Sequence, residues 1–163
     1  VVAIEVDHGV VKPAVGYLFT YGGRSVLVSG DTKRSDNVLR FSKDIDLLVH
    51  EVLDHDIIGA VSKALNEHSP PSQDNTPTRG SRFSRLTADI LDYHISPTEL
   101  ADLAAAANVK LVVLTHVVPP PNWLVKQLLY SKLHGRSQEF VVGEDGMSLR
   151  LPANSREVIR GYY

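Results

Sequence analysis

Two apolar runs constrain this chain most: Leu47-Leu48-Val49 and Leu111-Val112-Val113-Leu114 are short, branched and uninterrupted, and each runs straight into a polar pair, His50-Glu51 and Thr115-His116. A strand that is apolar on both sides belongs in a sheet covered on both faces. In such α/β sheets, reactive groups gather at the carboxyl ends of the strands. The pattern therefore predicts both a fold class, α/β, and a place to look for chemistry.

The rest of the chain fits that frame. Residues 1–6 and 14–21 read as strands, Gly22-Gly23 turns the chain, and residues 25–29 complete a hairpin with one strand before it. A helix over residues 35–42, with Val38, Leu39 and Phe41 on its apolar face, joins that hairpin to a strand over 45–49. Ser96-Pro97-Thr98-Glu99 is a capping box with proline in the first turn, opening a helix over 97–107. After Pro119-Pro120-Pro121, Asn122 is expected to cap a helix ending near Leu133. Residues 140–142 and 147–151 are expected to pair as a hairpin around Glu144-Asp145-Gly146. Residues 67–85, rich in Pro, Ser, Thr, Asn and Arg, read as a long loop or lid.

Composition removes several functions. The 163 residues contain no cysteine, which excludes disulfides, thiolate metal sites and cysteine nucleophiles, and leaves histidine and carboxylate as the ligands for any metal. Seventeen basic against nineteen acidic side chains, with no long like-charge run, give no nucleic-acid arm. No apolar stretch approaches the roughly 20 residues that span a bilayer, so no membrane partner is expected. There is no Gly-x-Ser-x-Gly elbow and no glycine-rich phosphate loop after the first strand, which disfavours serine hydrolases and nucleotide-binding domains.

The candidates left are Asp31 in Ser29-Gly30-Asp31-Thr32, His50 and Glu51, His94 just before the capping box, and His116. Singly, each has a plain structural reading as a cap, a strand end or a satisfied histidine. As a set they suit metal-assisted hydrolysis: aspartate can bridge two cations, imidazole is a good borderline ligand, and a carboxylate beside a histidine can orient it and move a proton. His8, in the loop after the first strand, could line the same pocket. His55, His68 and His134 read as surface residues.

The ordered motifs Val6-Asp7-His8-Gly9, Gly16-Tyr17-Leu18-Phe19, Ser29-Gly30-Asp31-Thr32, Asp46 through His50-Glu51, His94-Ile95-Ser96 and Leu114-Thr115-His116 resemble the second half of a metallo-β-lactamase-fold hydrolase, in its ribonuclease Z and arylsulfatase-like branch. The resemblance spans residues 6–151 and implies an αββα sandwich of which this chain is the C-terminal half, a mixed sheet with flanking helices. It further implies that Asp31 and His116 are metal ligands, that two zinc ions are bound, with manganese or iron as substitutes, and that Glu51 and His94 form a proton-delivering pair. The family box at His50-Glu51 continues here as Val52-Leu53, and Leu18 follows Gly-Tyr where many members carry arginine.

The same family places a His-x-His-x-Asp-His cluster in the first half of the fold, and no histidine here has that spacing. Two ligands do not make a catalytic zinc site, which takes three protein ligands and an open position. The expectation is thus a single domain over residues 1–163 lacking its N-terminal half. The missing ligands would come from a preceding half in cis, from another chain, or from a homodimer. The substrate would be a small-molecule ester or a nucleic acid, the bond a phosphodiester, sulfate ester or lactone. The alternative from a different class is a non-catalytic α/β binding or assembly module with a degenerate site.

Overall fold

A computed structural model describes residues 1–68 and 79–163. Its centre is a six-stranded mixed sheet in which strands follow one another in chain order: β1 (Val2–Glu5), β2 (Val15–Tyr21), β3 (Arg24–Val28), β4 (Leu47–Leu53), β5 (Leu111–Val118) and β6 (Glu139–Val142). The first three are antiparallel and β3 to β6 are parallel. Parallel neighbours need crossovers, and the chain supplies them as helices. These are α1 (Asp36–Phe41), α2 (His55–Glu67), α3 (Arg79–Leu91), α4 (Pro97–Ala106) and α5 (Trp123–Leu133).

One face of the sheet is buried by helices. Leu27, Leu48, Val52, Val112 and Leu114 from the strands meet Val38 of α1, Leu100, Leu103 and Ala104 of α4, and Leu129 and Leu133 of α5. Each large aliphatic side chain taken fully from water contributes about 2 kcal/mol. The capping box forms as read: Ser96 Oγ accepts from Glu99 N–H and the Glu99 carboxylate accepts from Ser96 N–H, fixing where α4 starts.

The opposite face is only partly covered. Leu47, Leu111 and Val113 pack under Leu149, Leu151 and Val158, which come from the segment carrying β7 (Met147–Arg150) and β8 (Ile159–Tyr162). Towards β2 the cover ends, and Val15, Tyr17 and Phe19 present 39–44% of their surface to solvent. Those three share a face, since successive side chains along a strand alternate.

Three sequence expectations need correction. The hairpin expected between 140–142 and 147–151 does not form: β6 pairs parallel with β5, from Leu111↔Glu139 to Leu114↔Val142, and β7 pairs antiparallel with β8. The turn at Gly146, with φ +80°, is real, but β5 takes up the first strand, and the turn leads the chain across to the other face. The stretch 67–85 is not a loop to its end. Although 69–78 lie outside the described residues, α3 begins at Arg79, and Phe83, Thr87 and Ile90 supply the helical spacing that glycine, serine and arginine disguised. Finally, β4 and β5 do not stop at His50-Glu51 and Thr115-His116. Val52-Leu53 and Val117-Val118 carry both strands further, and Leu53 N–H pairs with Ile95 C=O at 2.9 Å.

Candidate active site

At the carboxyl end of the parallel strands, Asp31, Glu51, His94 and His116 converge. Each is held there by a distinct local device. Strand β3 ends as Ser29 N–H donates to Val49 C=O at 3.0 Å, and Gly30 then turns the chain with φ +65°. A Cβ on Gly30 would lie 2.7 Å from Val15 O, so the turn that delivers Asp31 requires glycine. Behind it, Asp7 N–H donates to Thr32 Oγ1 at 3.0 Å and Lys33 N–H to Asp7 C=O at 2.9 Å, tying the Asp31 loop to the end of β1. The Gly9 N–H holds the Asp7 carboxyl below its ordinary range against the cost of burial, with help from Lys33.

His116 is aimed by a β-bulge. Glu51 pairs with Thr115 and Val52 with Val117, leaving His116 as the extra residue in β5, with φ +42°. A bulge bends its strand and re-aims a side chain, and a left-handed non-glycine residue stores about 1–2 kcal/mol. The result is His116 Nδ1 placed 2.9 Å from Asp31 Oδ1, both side chains about half exposed.

Glu51 and His94 form the second, buried pair. The Glu51 carboxylate is 1% exposed, and Oε1 accepts from Ile95 N–H at 3.0 Å, which fixes the backbone carrying His94. Its Oε2 faces His94 Nδ1 at 3.2 Å without an aligned hydrogen bond. Burial works against an imidazolium at His94, but the Glu51 carboxylate, reinforced by Asp31, outweighs it and lifts the His94 pKa above the ordinary histidine range. With Nδ1 turned to Glu51, only Nε2 of His94 is left to face the rest of the cluster.

The histidine rings form a row. His94 lies 5.7 Å from His116 and 5.1 Å from His8 between centroids, and His8 stands edge-on to Tyr93 at 4.8 Å. The ligand-type atoms of Asp31, His94 and His116 all lie within 4.8 Å of one another, and among the described residues this is the one group of three that could hold a metal ion. The donor set of one hard carboxylate and imidazoles suits a borderline divalent cation. Three such atoms suit one ion.

Sequence reasoning named Asp31, Glu51, His94, His116 and His8, and the structure brings all five together. How near His94 comes to the Asp31–His116 pair, with ligand-type atoms within 4.8 Å, is a distance that no spacing along the chain encodes. Sequence reasoning misplaced His55. This residue is half-buried and Nε2 donates to the His94 main-chain oxygen at 3.2 Å, whereas His68 and His134 are exposed as expected. His50 is fully buried, its Nδ1–H donating to Glu51 C=O at 2.8 Å, and burial keeps the ring neutral by lowering its pKa more than Glu51 raises it.

No family model matches the chain. Over 113 residues, 69% of its length, the chain is 33% identical to ribonuclease Z of Mycobacterium tuberculosis and 34% identical to ribonuclease Z of Mycolicibacterium paratuberculosis. It spans about a third of the length of these curated relatives, 34% and 33%. Among solved structures, the metallo-β-lactamase fold protein YhfI of Bacillus subtilis superposes with a TM-score of 0.56 over 98% of this chain and 48% of its own, at 19% identity.

Proposed function

The chain is a ribonuclease Z-like protein of the metallo-β-lactamase fold, and from that premise we propose that it contributes the C-terminal half of the active site of a divalent-metal-dependent phosphodiesterase acting on nucleic acid. The observation that carries this reading is the cluster of Asp31, His94 and His116 within 4.8 Å at the carboxyl end of the sheet. Two cations, zinc first and manganese or iron in its place, would supply Lewis acidity and charge neutralisation at the attacked ester. Asp31 and His116 would hold them through carboxylate and imidazole. Glu51 orients His94 through Nδ1, and His94 carries a proton on Nε2 to the leaving oxygen as general acid. His8, stacked edge-on against Tyr93 and His94, walls the substrate side of the pocket.

The chain's own ligands are too few for two ions, so a second half completes the centre. The uncovered strip of Val15, Tyr17 and Phe19 is the face for it, because an αββα sandwich packs a second sheet there. A preceding half in cis is the first reading, with another chain or a homodimer as the other ways to supply it.

The test uses the 163 residues within the longest open reading frame that encodes them. Asp31→Ala is expected to abolish metal loading, measured by elemental analysis, together with cleavage of a labelled precursor RNA. Turnover of an aryl sulfate or a lactone in place of RNA would move the substrate class. Retained metal and activity in Asp31→Ala would overturn the site and leave the chain as a non-catalytic binding or assembly module.

A further inference from the structure

Strand β4 loses its neighbour halfway along. The register with β3 runs from Val26↔Leu47 to Val28↔Val49 and goes no further. Main-chain groups alternate between the two edges of a strand, so Glu51 and Leu53 point to the same edge as Val49, where β3 no longer lies. Leu53 N–H regains a partner in Ile95 C=O at 2.9 Å. Glu51 C=O has no β3 residue opposite it, and the donor that reaches it is the imidazole Nδ1 of His50 at 2.8 Å.

The identity of that donor is informative because histidine is an expensive choice there. His50 is 0% exposed, and Nε2 is buried without a hydrogen-bond partner. A buried polar atom without a partner loses its hydration with nothing in return, a loss that leucine or methionine would avoid. The Nδ1 bond must therefore do something an apolar side chain cannot.

We infer that His50 is a positioning residue: its Nδ1–H replaces the donor β3 would have supplied, so that β3 leaves the sheet at Ser29 and turns Asp31 into the site while the Glu51 peptide stays fixed. Two groups depend on that peptide. The Glu51 side chain reaches from it to Ile95 N–H and His94, and the bulge that aims His116 sits directly opposite, at Thr115 to Val117. One hydrogen bond on the helix-covered side thus sets the backbone from which the whole cluster projects. The inference rests on the proposed site only in naming what is positioned.

Two variants separate the hydrogen bond from mere filling of space. His50→Asn places an amide N–H where Nδ1 stands, and His50→Gln places it nearer Nε2. In the metal-free, isotope-labelled 163-residue chain, His50→Asn is expected to keep the Glu51 carbonyl carbon shift and the left-handed backbone signature of His116, and His50→Gln to lose both. In a calorimetric titration with zinc, Asn is expected to bind within about twofold of the parent and Gln about tenfold more weakly. A backbone contrast between Asn and Gln, combined with zinc affinity that Asp31→Ala leaves unchanged, would support the positioning role and sink the metal reading. Equal behaviour of the two variants in the backbone signals, folded or unfolded, overturns the inference.

Discussion

The two ends of the parallel sheet carry similar residues and treat them differently. At the amino ends, charges are matched within the chain. Arg24, 5% exposed, donates Nη1 to Pro152 O at 3.0 Å and Glu157 O at 2.9 Å, with Nη2 3.0 Å from Asp46 Oδ1, while Arg160 lies 2.7 Å from Glu139. A cleft of about 770 Å³ opens there, and its walls include the paired side chains of Asp46, Glu139 and Arg160. Arg24 Nε and Nη2 lack an aligned hydrogen bond, but Nη2 lies against the Asp46 carboxylate. At the carboxyl ends the buried atoms without aligned partners, His8 Nε2, His50 Nε2, Glu51 Oε2 and His94 Nδ1, come from four neighbouring residues, and His116 beside them has a φ of +42°. Paired charge holds the fold together; unpaired polar atoms gathered in one place mark where the molecule has been arranged to act on something else.

If that contrast is right, substitutions at the amino end should cost stability and those at the carboxyl end function. The largest stability effect is expected for Arg24→Met, which removes the guanidinium from Asp46, leaving it only Ser25, and frees the segment before β8. A loss of about 3 kcal/mol in urea unfolding is expected. A loss below about 1 kcal/mol would remove Arg24 from the structural side of the comparison.

Glu51→Gln keeps an acceptor for Ile95 N–H but removes the carboxylate charge beside His94. The His94 pKa, followed by ring proton shifts, should fall, and cleavage by the completed protein should drop about 10–100-fold. An unchanged His94 titration would break the pair. His116→Gly relieves the left-handed strain, so the chain should gain about 1 kcal/mol of stability while zinc binding is lost. Stability falling with zinc binding would instead make His116 a structural residue.

The smallest effect concerns acid. Burial alone would raise the Asp46 pKa, but Arg24 and the Ser25 N–H outweigh it and hold it below the ordinary carboxylate value near 3.8. A carboxyl lowered in the folded state contributes stability that is fully present above about 3.8 and is lost as pH falls from there through the folded-state value. Asp46→Asn should flatten that part of the acid unfolding curve, and an unaltered slope would show that other carboxylates set it.

Much of this was legible because the signals are local. Branched apolar runs marked β4 and β5, the capping box fixed α4, and polar residues at the strand ends singled out Asp31, Glu51, His94 and His116. What escaped depends on pairing between distant segments. The bulge at His116 exists only in the register of β5 against β4, and its φ of +42° has no glycine or asparagine to announce it. Strand β8 reads Ile-Arg-Gly-Tyr, too polar and too short to compete with β6 as the partner of β7 until the sheet places β6 beside β5. His55 looked solvated because its neighbours are polar, whereas the His94 carbonyl it meets is 39 residues away.

The sheet whose spatial order repeats its chain order also has a meaning in time. A chain emerging amino end first can lay each strand against the edge left by the one before, but the intervals are unequal: β5 meets β4 only after the 64 residues from Leu47 to Leu111, which makes that step the costliest closure in the sheet. The open edge moves from β3 to β6. Asp31 is anchored once β4 gives Ser29 N–H its acceptor at Val49, Glu51 comes with that same strand and His94 after the helical pair, but His116 arrives only with β5. Capture of a cation by this cluster would therefore be a late event, and its onset would time the closing of the sheet.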